Sequence, residues 1–166
     1  MSLKFIKVAA LVGSSISFGG NFYISAFAIP AMLSPCSYKA EGQGVVLPAK
    51  VLQMQWQHVY DTGKRFFPLL IVGTSALYLY LAYNVPAEAR PLYLLAACCG
   101  VSIVPYTLAV MMPNIKRIQG EIKEEDTQVG LRLRDDIKTW SRMNCGRAVL
   151  LGVAFLAGAW AAVDSS

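Results

Sequence analysis

Four long stretches without Asp, Glu, Lys or Arg govern what this chain can fold into. Charge is missing between Lys7 and Lys39, between Arg65 and Glu88, between Arg90 and Lys116, and between Arg147 and Asp164. A helix needs roughly 20 apolar residues to cross the ~30 Å hydrocarbon core of a bilayer, and the first three gaps reach that length. The fourth reaches it when Asn144 and Arg147 stand at its edge. A water-soluble domain of ~150 residues hides only about 70% of the surface its unfolded chain exposes. With 55% hydrophobic residues among 166, this chain needs lipid to cover the remainder. The expectation is an all-α, integral membrane four-helix bundle forming a single domain over residues 1–166. Its spans fall at about 5–29, 66–83, 92–112 and 144–163, with long loops at 30–65 and 113–143.

Lys4 and Lys7 followed by Ala26-Phe27-Ala28 imitate a cleavable signal peptide. A signal, however, has a compact apolar stretch of roughly 7–15 residues. The run here is longer and is broken by Gly13, Gly19, Gly20 and Asn21, small residues that suit close helix packing, so a retained span is the preferred reading. A net charge of +5 would suggest nucleic acid in a soluble protein. Its distribution points to lipid instead, and no nucleic-acid partner is expected. Lys4, Lys7 and Arg90 lie on one side of the four spans, against eleven basic residues in the two long loops. By the positive-inside rule the long loops are cytosolic and both termini lie outside.

Cys36 falls in a loop, while Cys98, Cys99 and Cys145 fall in or beside spans without the spacing of a zinc or redox site. They read as small apolar filler. Pro30, Ser34-Pro35 and Gly42-Gln43-Gly44 read as turn-formers, and from Ala49 the chain can run helically into the second span. Gly63 and Pro68 would kink that helix near its entrance, and Pro105 would bend the third span. The charged stretch from Asn114 to Arg142 reads as a solvated helix or helical hairpin.

Three groups could carry chemistry. On a helix, His58 and Asp61 are i, i+3 neighbours and Trp56 and Tyr60 are i, i+4 neighbours, so an imidazole and a carboxylate lie close to an aromatic pair. A carboxylate beside an imidazole orients it as a general base. The alternative is an interfacial histidine among aromatic belt residues. Trp140, Asn144 and Arg147 share one helical face at the start of the fourth span. Arg147 there either snorkels to the interface or faces the bundle and binds an anionic oxygen. Asn114 belongs to the third group, Pro113-Asn114-Ile115-Lys116-Arg117. In the expected topology all three converge at one membrane face, which marks a candidate site. A single histidine cannot supply two axial haem ligands, and there is neither a di-iron pattern nor a dinucleotide or phosphate-loop fingerprint. A redox enzyme built this way is expected to work without a bound metal or flavin.

Val104-Pro105-Tyr106-Thr107, then Met112-Pro113-Asn114 and Ile118, with Trp140-x-x-x-Asn144-x-x-Arg147 opening the last apolar helix, resembles the anthrone oxygenase family. Those are small four-helix membrane proteins of fungal and bacterial polyketide pathways. Trp56 with Tyr60 and Gly63 is similar to the family pattern too, and the likeness runs from about Phe18 to Leu156. The resemblance implies a cofactor-independent monooxygenase of secondary metabolism that oxidises a small aromatic polyketide, an anthrone, to an anthraquinone with O2. On that basis His58, held by Asp61, would remove a methylene proton. Arg147 and Asn144 would stabilise the enolate, while Trp56, Tyr60, Trp140 and Asn114 would bind the flat substrate. Where the family shows His, this chain has Asn144, which removes a second base from that position. The competing expectation is a non-catalytic membrane subunit or assembly factor, and a small transporter is disfavoured because no span carries a carboxylate. Membrane lipid is the expected surrounding, with association into oligomers left open.

The charge asymmetry is checked by labelling. Thiols introduced by Gly44→Cys and Glu124→Cys should react with an impermeant reagent on the cytosolic side, and one at Ser165→Cys should not. Protection of both loop thiols together would reverse the orientation.

Overall fold

The structure, a computed structural model, describes residues 2–34, 47–122 and 126–164. The turn-forming stretch from Pro35 to Gly44, with Cys36 in it, lies outside the described residues, as do Lys123, Glu124 and Ser165. The described elements are α1 (Leu3–Tyr23), a π-helical turn (Ile24–Ala28), α2 (Ile29–Leu33), α3 (Ala49–Asn84), α4 (Arg90–Val101) and α5 (Ile103–Tyr106). A second π-helical turn (Thr107–Met111), α6 (Met112–Ile118) and α7 (Thr127–Asp164) follow. They join into four rods of 31, 36, 29 and 38 residues, each long and apolar enough to cross a membrane. The protein is an all-α four-helix membrane bundle.

Two rods extend well beyond their apolar halves. α3 starts directly after Pro48 and passes Gly63 and Pro68 without interruption, so the amphipathic stalk and the span are one helix. α7 starts at Thr127, so residues 119–126 alone connect it to α6 and the charged stretch is its first half.

Proline explains the two π-helical turns. Pro30 and Pro113 each stand two residues beyond a five-residue π turn. A proline ring clashes with the carbonyl four residues earlier and offers no N–H, so the preceding turn widens. The amide of Ile29 accordingly reaches back to the Ile24 carbonyl, and that of Met112 to the Thr107 carbonyl. The carbonyls of Ser25 and Leu108 thereby lose their usual i+4 donor, and their i+5 neighbours are the prolines themselves. In the third rod Pro105 coincides with a further break at Ser102, between α4 and α5.

α1 packs on α3 and α7, and α4 packs on the same two, so the bundle is four-cornered with α3 and α7 on one diagonal. Side-chain size then varies along its axis. Near the chain termini the core is built from Ala10, Ala82, Ala96, Ala97, Ala154 and Ala161 around Tyr78 and Tyr93. Small residues let backbones approach: a β-carbon on Gly158 would lie 2.5 Å from the Tyr78 ring. Ser14 and Tyr78 close that end with a buried 2.7 Å hydrogen bond between their hydroxyls. Towards the other end Trp56, Trp140, Leu52, Ile115, Ile118 and Ile137 form the core, and these large side chains hold the helices apart. Outside, Leu69, Val149 and Leu156 are exposed apolar side chains of the kind hydrocarbon covers.

The close approach at Gly158 makes a stability prediction. Gly158→Ala should cost about 1–3 kcal/mol through overpacking against Tyr78. Gly73→Ala, where no atom lies within 4 Å of the added carbon, should be neutral or stabilising by up to about 1 kcal/mol. Thermal unfolding in one detergent, followed by circular dichroism, compares the two.

Candidate functional site

Aromatic rings close the wide end of the bundle. Trp56 is fully buried and stacks on Tyr60, ring centroids 5.2 Å apart and planes 5° from parallel. Trp140 meets Trp56 edge to face at 5.5 Å. The i, i+4 spacing sets the first pair, and the second brings α7 against α3 across the bundle diagonal.

Asn144 lies just inside, on α7, and is 2% exposed. Its amide nitrogen donates to the Asn21 carbonyl at 3.1 Å and to Ser25 Oγ at 2.8 Å. Ser141 Oγ donates to the Ser25 carbonyl at 3.2 Å, the carbonyl that the π turn and Pro30 leave without a backbone donor. The break in the first rod is thus held by two side chains of the fourth. Both N–H groups of Asn144 are occupied, so it braces the helices and has no donor left for an enolate.

A cavity of about 180 Å³ opens beside this brace, with all four rods in its wall. Asn21 and Ile24 come from the first rod, Tyr60, Lys64 and Pro68 from α3, Thr107 and Leu108 from the third, and Trp140, Asn144 and Arg147 from the fourth. The wall is mostly apolar, yet two of its residues carry buried donors without acceptors. Arg147 Nε and Trp140 Nε1 are buried with no hydrogen-bond partner, and Trp56 Nε1 behind them is in the same condition. Among the described residues no acidic side chain forms an ion pair with Arg147. Leaving a buried donor unpaired costs about 1–3 kcal/mol. A buried group left so calls for an explanation such as a catalytic role or a bound water or ion. A wall of this kind suits a small flat molecule that presents acceptor oxygens.

Four of the residues singled out from the sequence therefore meet at the cavity: Tyr60, Trp140, Asn144 and Arg147. Trp56 supports them from behind. Asn114 does not reach it; buried, it donates through Nδ2 to the Asp136 backbone and side-chain oxygens, both at 3.2 Å, and ties α6 to α7. Arg117 joins the same carboxylate at 3.1 Å. His58 and Asp61 are also placed differently from expectation. Asp61 pairs with Lys64, one helical turn on, whose ammonium stands 5.3 Å over the Tyr60 ring. His58 points into two shallow grooves between α3 and the end of the first rod. The physical reason is phase. Positions 60, 63, 64 and 67 present one face of α3 to the cavity, and 58 falls on another.

Sequence reasoning missed Asn21 and Ser25. In the sequence Asn21 stands within a small-residue packing stripe. A carboxamide inside a span is costly unless it is engaged, and that cost was the available signal.

A helical bundle enclosing a donor-lined cavity at the level of its apolar segments defines a small multi-pass membrane protein with a ligand site between its helices. The anthrone oxygenase family model matches residues 56–157, from the stacked Trp56 into the last turns of α7. Anthrone oxygenase encC of Aspergillus fumigatus is 32% identical over 156 residues, covering 92% of this chain and 82% of its own. Anthrone oxygenase nsrD of Aspergillus novofumigatus is 29% identical over 131 residues, 76% of this chain and 75% of its own. A noranthrone monooxygenase of Aspergillus flavus is 26% identical over 148 residues, 86% of this chain and 65% of its own. No solved structure matches. The chain belongs to the anthrone oxygenase family and is an oxygenase.

The brace predicts the effect of removing it. Asn144→Asp keeps the shape but loses both donors and adds a buried charge, so it should destabilise the bundle by about 3 kcal/mol or more. Ser25→Ala removes one acceptor and should cost about 1 kcal/mol. Thermal midpoints of the purified variants test the order.

Proposed function

We propose that this oxygenase converts a polyketide anthrone to its anthraquinone with molecular oxygen, inside the cavity beside Arg147. The unpaired donors of Arg147 and Trp140 are the observation that carries this reading. An anthrone is flat and apolar, has one ketone oxygen, and carries across the ring from it a methylene that ionises by pushing charge onto that oxygen. Arg147 and the Trp140 indole N–H receive the oxygen and stabilise the negative charge as it develops, as donors in an oxyanion hole do. The methylene proton leaves through the Tyr60 hydroxyl, on the same wall, and returns from it to the oxygen atom that departs as water, and Trp56 holds Tyr60 in place by stacking. The enolate then supplies the electrons. Dioxygen gives one atom to the former methylene carbon and leaves the other as water, so the four electrons lost by carbon match the four gained by oxygen. The substrate serves as its own reductant. The site lies at the membrane face that the charge asymmetry assigns to the cytosol.

Detergent-purified protein should convert emodin anthrone or a close relative to the quinone, with oxygen uptake and one atom of isotopically labelled dioxygen in the product. Anthrones oxidise slowly unaided, so protein-free micelles of equal substrate content are the reference. Removing one oxyanion donor typically lowers turnover about 10²–10³-fold. Arg147→Leu should fall in that range, and Arg147→Lys close to it, because the planar fork is lost. Tyr60→Phe should lose tenfold or more, whereas His58→Ala, outside the cavity, should lose less than tenfold. A folded Arg147→Leu protein with wild-type turnover would refute the assignment.

A further inference from the structure

The third rod and α3 part and meet again along their length. At one closure a β-carbon on Gly100 would collide with Ser75 Oγ, so the backbones touch closely there. At the other, Gln53 Nε2 donates to the carbonyls of Ile118 at 2.6 Å and Gly120 at 2.7 Å, and Gln119 donates to Gln57 Oε1 at 3.1 Å. Between them lie the break at Ser102, Pro105 and the π turn Thr107–Met111, and the extensive packing of this rod on α3 is through α4. The cavity shows at this gap. Val104 and Leu108 on one side and Lys64 and Pro68 on the other line it and are exposed, Leu108 by 60%. On the opposite wall Asn21 and Asn144, from the first and fourth rods, are buried.

We propose that this gap is a lateral window onto the hydrocarbon layer, through which the substrate enters from the bilayer as a neutral, flat, lipid-dissolved polycyclic ketone. The inference rests on the reading of the site given above. Three observations support it. Pro68, Val104 and Leu108 belong to charge-free segments, and their neighbours Leu69, Val72, Val101 and Val110 are exposed apolar side chains, so the surface around the window is one that hydrocarbon wets. The wide end of the bundle, which would be the aqueous route, is filled by Leu52, Trp56, Ile115, Ile118 and Ile137. Lys64, ion-paired to Asp61, stands at the rim nearest the charged stalk and marks where lipid gives way to water.

Charge makes the route directional. An ionised enolate is expensive in hydrocarbon, whereas the neutral ketone passes freely. Once Arg147 has stabilised the enolate, it is retained until oxygen reaches it. Dioxygen is itself apolar and dissolves better in hydrocarbon than in water, so both reactants share the window.

Two measurements test this. In proteoliposomes Leu108→Trp should narrow the window and raise KM, expressed as concentration in the membrane, at least fivefold, a larger change than any in kcat. Leu69→Trp, beside Pro68 but turned to lipid, should change neither. Independently of catalysis, Thr107→Cys in a chain with its four native cysteines replaced should react at least tenfold faster with pyrenyl maleimide dissolved in the bilayer than with a charged, water-confined maleimide. Leu108→Trp should slow the first reaction, and an anthrone should protect the thiol. Equal or faster labelling by the charged reagent, or wild-type KM for Leu108→Trp, overturns the window. So does rapid lipid-borne labelling that anthrone cannot suppress, which would make the gap an acyl-chain site. Labelling as expected in a protein that oxidises no anthrone would preserve the window and remove the proposed reaction. Normal oxidation with reversed labelling would do the opposite, and the kinetic comparison needs no cysteine replacement.

Discussion

A backbone carbonyl that loses its amide partner inside hydrocarbon has to find another donor, because the surrounding medium offers none. Proline creates such carbonyls, and this chain has prolines within or at the ends of three of its four apolar helices. At Pro30 the problem is solved across the bundle, where Ser141 donates to the released Ser25 carbonyl and Asn144 engages the Ser25 hydroxyl and the Asn21 carbonyl. These bonds settle how α7 is rotated against the first rod. That rotation in turn decides that Trp140, Asn144 and Arg147 look inward.

In the third rod the same chemistry has a different outcome. Pro105 and Pro113 flank a π turn, a further break stands at Ser102, and over this length the rod lacks the extensive packing on α3 that α4 makes. The small residues at the far end keep the helices close, and the large rings at the near end hold them open. The cavity is the space left where those two demands meet. It is mostly apolar, which lets a polycyclic molecule enter. The buried donors of Arg147 and Trp140 give the cavity its chemical direction, since low dielectric strengthens whatever bonds they make to a ligand oxygen.

Much of the fold was legible in the chain because its cause is local. Uninterrupted apolar runs of span length leave no alternative to transmembrane helices, and the i, i+4 pairing of Trp56 with Tyr60 follows from helix pitch alone. The clustering of Trp140, Asn144 and Arg147 was legible for the same reason, since 140, 144 and 147 share a face wherever the helix goes. The pairing of His58 with Asp61 was equally allowed by spacing. It was not realised because Lys64 is also one turn from Asp61, and opposite charge makes it the stronger partner. Nothing in the spacing of Asn114 foretold Asp136 as its partner, a contact between two helices joined by a connection of residues 119–126.

By itself, then, the sequence determined the number of helices, their apolar extents and the faces on which aromatic and polar residues sit, because each depends on residues within a few turns of one another. Which faces look inward was decided by the tertiary structure alone. Asn144 became a brace because Asn21 and Ser25, more than a hundred residues away, face it. His58 lies outside the cavity because α3 is turned to bring Tyr60 and Gly63 in. Helix rotation is set by packing and by hydrogen bonds between rods, and no spacing within a single rod encodes it.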